Sequence, residues 1–245
     1  MLCILPGTLQ IVDNLSKMAG DIDEEAGLLT YLEDAHRNAE WVQKEAQSEF
    51  PLLHAHSVVG LWSALEVLCE DFAIAWLKNM LAAWMIPDVA RLRIPLATFH
   101  QFSEDDKLRY VVSELSRSQG GDLRKGVGKL KSLLQVFGLN PPIGPNLQRA
   151  LHELCHIRNV FVHCGGIADQ RFVTECPWLS IGPGERVLVS HALYGWYHFA
   201  AKRYAERVSN QVFVALGFPG CKCPGLDEIA PRPDVSEALQ WGTPP

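Results

Sequence analysis

The sequence predicts an all-α protein, a helical bundle with a crossover segment. Three observations carry that prediction. Apolar residues recur at helical spacing in long segments bounded by proline and glycine. No long stretch alternates apolar and polar residues as a half-buried strand would. With 245 residues, 48% apolar and 20% charged, the chain has enough apolar surface for a large bundle core.

The first predicted helix spans about residues 22–50, acidic on one side, with Leu28, Leu29, Leu32, Ala35 and Ala39 at helical spacing. Pro51 ends it and opens the next, about 52–84, which is apolar round most of its circumference and so belongs inside a bundle. Pro87 and Pro95 bracket a connector. Ser103 followed by Asp106 resembles a capping box and starts a helix to about Arg117, broken by Gly120-Gly121. A weaker helix covers about 123–137. Another begins near Asn146 and ends at Gly165-Gly166, where glycine suits a left-handed cap. Short apolar pieces between Arg171 and Val189 leave room for a small hairpin, and a last helix runs from about Ser190 to Ala215. This divides the chain into an N-terminal extension (1–21), a helical domain (22–216) and a flexible, proline-rich tail (217–245).

The net charge of −6 gives no global basic field. Acids dominate between Asp13 and Glu49, whereas bases dominate from Lys107 to Arg158, which leaves room for a local polyanion site or merely two solvated faces of opposite sign. Seven cysteines and no basic leader at residues 1–9 fit free thiols in a reducing cytoplasm. The most apolar stretch, 58–86, carries Glu66, Glu70, Asp71 and Lys78, so no membrane span is expected.

Chemistry concentrates on the helix of residues 147–164. At about 100° per residue, Leu147, Leu151, Leu154, Phe161 and Val162 share one side, with Arg158 in its middle. A permanently charged guanidinium there needs an anion or a watery cleft. Glu66, set in an apolar run on the second long helix, is the best internal partner, with Glu70 and Asp71 as rivals; a phosphate ligand is the external one. A plain buried ion pair that fixes helix register would leave the same pattern.

His152, His156, Asn159 and His163 form a second stripe. Imidazoles at i and i+4 are able to converge on a metal, but no paired cysteine–histidine set accompanies them, Cys221-Lys222-Cys223 being a single close pair. A solvated polar face is the simpler account, and neither metal nor cofactor is expected. His163 stands in the last turn, where the partial negative charge of the helix end favours imidazolium. It is suited to proton transfer with a ribose hydroxyl. Asn159 lies one turn below it, and Arg158 is roughly 140° away round the helix.

The run Arg158-Asn159-Val160-Phe161-Val162-His163, followed by a small-residue turn and Asp169-Gln170-Arg171-Phe172, resembles the HEPN superfamily (higher eukaryotes and prokaryotes nucleotide-binding) over about residues 22–215. The signature is Arg, a polar residue directly after it, and His after a total of four to six intervening residues. The resemblance implies an all-helical, metal-independent endoribonuclease. It would work as a homodimer with two motifs facing across the interface, with Arg158, Asn159 and His163 in the site and Glu66 completing it. It also implies RNA as substrate, 2′,3′-cyclic phosphate and 5′-hydroxyl products, and a toxin–antitoxin or phage-defence setting with an antitoxin partner. Some toxin members carry Tyr two residues after the His; Gly165 stands there, so a tyrosine switch is not implied. Other members are non-catalytic, and a dimeric interaction or nucleotide-binding module is the alternative. A zinc-binding regulator is a third reading.

Overall fold

Pro51 opens the helix around which most of the fold is built. It occupies the first helical position, where its missing N–H leaves no bond unmade. In the computed structural model, which describes residues 22–47, 50–118, 127–220 and 228–233, the chain divides into two units, Met1–Phe50 and Pro51–Pro245. The sequence places residues 22–216 in one helical domain, and the boundary between the two units falls within that range, at the Phe50–Pro51 junction. The first unit contributes α1 (Ile22–Gln47). The expected extension 1–21, the Gly120-Gly121 break, the Cys221–Cys223 pair and the side chains of Leu28, Leu29 and Leu32 lie outside the described residues.

In the second unit, α2 (Pro51–Asn79) buries Ala55, Val58, Trp62, Leu65, Cys69, Ala73 and Leu77. Those steps of three and four residues make one continuous seam. The expectation of a helix buried nearly all round is therefore too broad: Leu53 and Val67 are exposed. Beyond α2 the chain tightens into a 3-10 turn (Leu81–Met85), and Trp84 Nε1 donates back to the Leu77 carbonyl at 3.0 Å. The proline-bracketed connector holds two single-turn helices, α3 (Pro87–Ala90) and α4 (Leu96–Phe99).

The capping signal at Ser103 is borne out. α5 (Glu104–Ser118) starts directly after it, the Asp106 N–H donates to Ser103 Oγ at 3.2 Å, and Ser103 Oγ donates to Asp106 Oδ2 at 2.6 Å. α6 (Val127–Val136), α7 (Pro145–Cys164) and α9 (His191–Ala215) complete the bundle. The central helix α2 packs on α5, α6, α7 and α9, and α7 packs in turn on α6 and α9. The class is all-α, as the sequence predicts; no strand occurs among the described residues. No described helix is long and apolar enough to cross a membrane.

The first part of the segment between Arg171 and Val189, where a small hairpin is expected, is helical instead. Asp169 caps α8 (Gln170–Glu175) by accepting from the Phe172 N–H at 2.7 Å, and a 3-10 turn (Pro177–Leu179) follows. What pairing exists joins 166–168 to 184–187: Ala168 N donates to Glu185 O, Gly184 N to Ala168 O, and Val187 N to Gly166 O, each at 2.8 Å. One isolated bridge, Ile167 with Arg186, results.

The tail also differs from expectation. Residues 228–233 are packed, not free: Asn146 Nδ2 donates to the Ile229 carbonyl and Trp196 Nε1 to the Ala230 carbonyl, while the Glu228 carboxylate accepts from the Leu147 N–H. Three of the described cysteines, Cys69, Cys155 and Cys176, are buried free thiols, and burial pushes each up to about 12. With so little thiolate at neutral pH, all three are expected to resist iodoacetamide in the native protein and to react in denaturant. Peptide mass spectrometry reads the difference, and fast native labelling of Cys155 would contradict the packing described.

Candidate functional site

The motif lies in the last two turns of α7. Gly165 follows with φ 59°, the left-handed cap that the sequence predicts, and Gly166 (φ 84°) donates its N–H to the Val160 carbonyl at 3.2 Å. A methyl group on Gly166 would come within 2.9 Å of the Phe161 ring, whereas one on Gly165 would meet nothing. Gly165→Ala is expected to lose only the conformational term, about 1 kcal/mol. Gly166→Ala adds the collision and should lower Tm further; equal losses would contradict this geometry. The Asp169…Phe172 extension of the motif is structural: the aspartate caps α8 and the phenylalanine is buried.

Arg158 does not pair with Glu66. Its Nη1 donates to Asn159 Oδ1 at 3.0 Å, and among the described residues no carboxylate forms an ion pair with it. Its Nε is buried without a hydrogen-bond partner among the described residues. Glu66 instead receives Lys129 Nζ from α6 at 2.8 Å. Both Glu66 and Arg158 act on the buried thiol of Cys155. Burial, then the charge of Glu66, raise this thiol, and Arg158, Lys129 and Arg171 oppose them. Glu66 and Arg158 thus influence one thiol in opposite directions without pairing with each other. Asn159 Nδ2 lies 3.9 Å from the same sulfur.

The reason is the course of the buried line on α7. It runs through Leu147, Ala150, Leu151, Leu154, Ile157 and Val160, and leaves Arg158 half-buried at its edge. Val162, expected inside, is 46% exposed. His163 is exposed in the final turn. The structure therefore joins Arg158 to Asn159, sets His163 at the open helix end, and gives Glu66 to Lys129. An open apolar hollow exists elsewhere, between the end of α9 and the segment after it, lined by Asn210, Phe213, Phe218 and Pro219.

The buried carboxylate of this protein is one the sequence reading passed over. Glu153 is 0% exposed. One of its oxygens accepts from Arg149 Nε (3.1 Å) and Trp178 Nε1 (2.6 Å), the other from Tyr197 OH (2.9 Å) and Arg232 Nε (3.0 Å). Arg149 also lies over the Trp178 ring, 4.8 Å from its centroid. The signal was present: Glu153 shares a helical line with Ala150, Ile157 and Val160, three apolar residues at i−3, i+4 and i+7.

His152 and His156 are not a solvated face. His156 is 3% exposed and its Nε2 has no hydrogen-bond partner among the described residues. Burial pushes it down to about 4, and the adjacent His152 adds to that shift. The two rings lie 4.4 Å apart, centroid to centroid, and His152 Nε2 is 3.0 Å from the Glu175 carbonyl. One donor atom from each of His152, His156 and Glu175 falls within 4.8 Å of the others.

The fold and site together define an all-helical bundle with an unpaired arginine and an exposed histidine at the end of one inner helix. No protein-family model, no curated protein and no solved structure matches the chain.

Proposed function

We propose that this protein is a metal-independent endoribonuclease of HEPN type, active as a homodimer that places two Arg158–His163 motifs around one RNA phosphate. The observation that carries the reading is the state of Arg158: half-buried, steered by Asn159, and without a carboxylate partner among the described residues. A guanidinium so placed is ready for a phosphate, which it binds in a bidentate fashion. Lys129 and Arg171 belong to the same electrostatic neighbourhood. Glu66 is occupied by Lys129 and so leaves the arginine charge uncompensated.

In the proposed reaction, His163 of one protomer takes the proton from a ribose 2′-hydroxyl. The 2′-oxygen attacks phosphorus, the bond to the 5′-oxygen breaks, and the second His163 returns a proton to that oxygen. Arg158 holds the charge that builds on the phosphoryl oxygens. The products are a 2′,3′-cyclic phosphate and a 5′-hydroxyl. A toxin–antitoxin or phage-defence role, with an antitoxin partner, belongs to the same proposal.

The test is incubation of the full-length protein with a broad RNA panel in the presence of a chelator. Cleavage leaving cyclic phosphate ends, lost in His163→Ala and Arg158→Ala, is the expected result. Intact RNA across the panel, with the protein folded, would overturn the nuclease and leave a non-catalytic helical module.

A further inference from the structure

We propose that His152, His156 and Glu175 form a binding site for one divalent transition-metal ion, Zn2+ by preference. The two histidines are one turn apart on α7, the spacing at which imidazoles converge on a single ion. Glu175, the last residue of α8, faces them across the α7–α8 contact, and the three donor atoms lie within 4.8 Å of one another. The independent sign is His156. It is almost wholly buried, yet its Nε2 has no hydrogen-bond partner among the described residues. A buried ring nitrogen left unmatched costs free energy unless something accepts or ligates it, and it belongs to a ring that offers one of the three clustered donor atoms.

The donor set selects the ion. Two imidazoles and one carboxylate suit Zn2+ and its borderline neighbours, whereas Ca2+ and Mg2+ seek shells of oxygen. Tetrahedral Zn2+ with ligands at about 2.0–2.1 Å places its donors about 3.3 Å apart. The cluster must therefore contract, and Glu175 is the member free to move, its side chain being 34% exposed. The contact of His152 Nε2 with the Glu175 carbonyl holds the two residues together; it requires an N–H on Nε2, so His152 ligates through its other ring nitrogen or gives this bond up when the ion enters.

The ion's role follows from its place. α8 has only six residues, too few to hold a helix unaided. Its N-terminus is fixed by Asp169. A metal at Glu175 would fix its other end to α7. This inference does not rest on the ribonuclease reading, since binding and stability are measured without RNA.

The experiment uses the full-length protein, stripped by a chelator and titrated with ZnCl2 by calorimetry, with thermal unfolding followed in parallel. One Zn2+ per chain and a Zn2+-dependent rise in Tm are expected. His156→Ala removes a buried ring and endangers the fold, so Glu175→Gln and His152→Ala carry the test. Each should weaken Zn2+ binding by at least about a hundredfold, the upper end of what loss of an outer-shell partner costs, and should abolish the Tm rise. A Cys221→Ser/Cys223→Ser double variant should bind as the wild type does. Co2+ substituted for Zn2+ should give visible ligand-field bands without thiolate charge transfer. No Zn2+ binding, undiminished binding in Glu175→Gln and His152→Ala, or a thiolate band would each overturn the site.

Discussion

Glu153→Ala is expected to lower the free energy of unfolding by about 3–5 kcal/mol, the usual cost of breaking a buried ion pair from one side. The carboxylate is wholly buried and accepts four hydrogen bonds, two of them from arginines. Its removal strands Arg232, whose side chain is only 19% exposed, more severely than the half-exposed Arg149. Tyr197 loses its acceptor as well. Its hydroxyl is held well above the ordinary value of 10, first by burial and then by the Glu153 charge, so it remains a donor in need of a partner. Glu153→Gln keeps one acceptor oxygen and should fall between the wild type and the alanine variant. Urea unfolding measures both, and a loss below about 1 kcal/mol for the alanine variant, the size of an average substitution, would show that the arginines do not depend on this carboxylate.

On the proposed ribonuclease reading, His163→Ala should reduce RNA cleavage by about 10²–10⁴-fold, the range of a general acid or base, while leaving stability within about 0.5 kcal/mol because the side chain is exposed. Arg158→Ala should reduce cleavage by about 10²–10³-fold through loss of charge stabilisation. It too should leave the fold largely intact, since its hydrogen-bond partner is the neighbouring Asn159 and not a distant carboxylate. Single-turnover rates and melting curves on the same preparations separate the two effects. A drop of about 3–5 kcal/mol in Arg158→Ala would mark a buried ion pair of the kind the sequence suggests, and the catalytic assignment would fail.

Much of the bundle was legible because its boundaries are written in local chemistry. Pro51, Ser103 with Asp106, Gly165 and Ser190 each satisfy or spare backbone groups at a helix end, and each stands where the sequence places it. The short α8 was not legible, because six residues carry too little periodicity to stand out from a hairpin; only the Asp169 cap marks it. The Arg158–Glu66 pair failed for a different reason. A helical wheel identifies which side chains share a face, but not which of several nearby charges lies closest, and Lys129 from a weakly predicted helix reaches Glu66. Glu153 was overlooked because its partners are remote: Trp178, Tyr197 and Arg232 come from three other parts of the chain. The placement of the individual side chains follows their surroundings. His163 depends only on the helix end, whereas His152 and His156 depend on what α8 brings to them.

The reach of Arg232 to Glu153 sets a timetable for the nascent chain. The arginine is 79 residues downstream of the carboxylate it neutralises. At about 5–20 residues per second, a ribosome takes about 4–16 s to travel that distance. During that interval α7 can already form, but its inward-facing carboxylate has only Arg149 as a cationic partner, and the first turn of α7 waits for Glu228. Until the segment at 228–232 has emerged, Glu153 lacks its second arginine and the Leu147 N–H its Glu228 acceptor, so the inner helix gains its last polar partners from the end of the described chain.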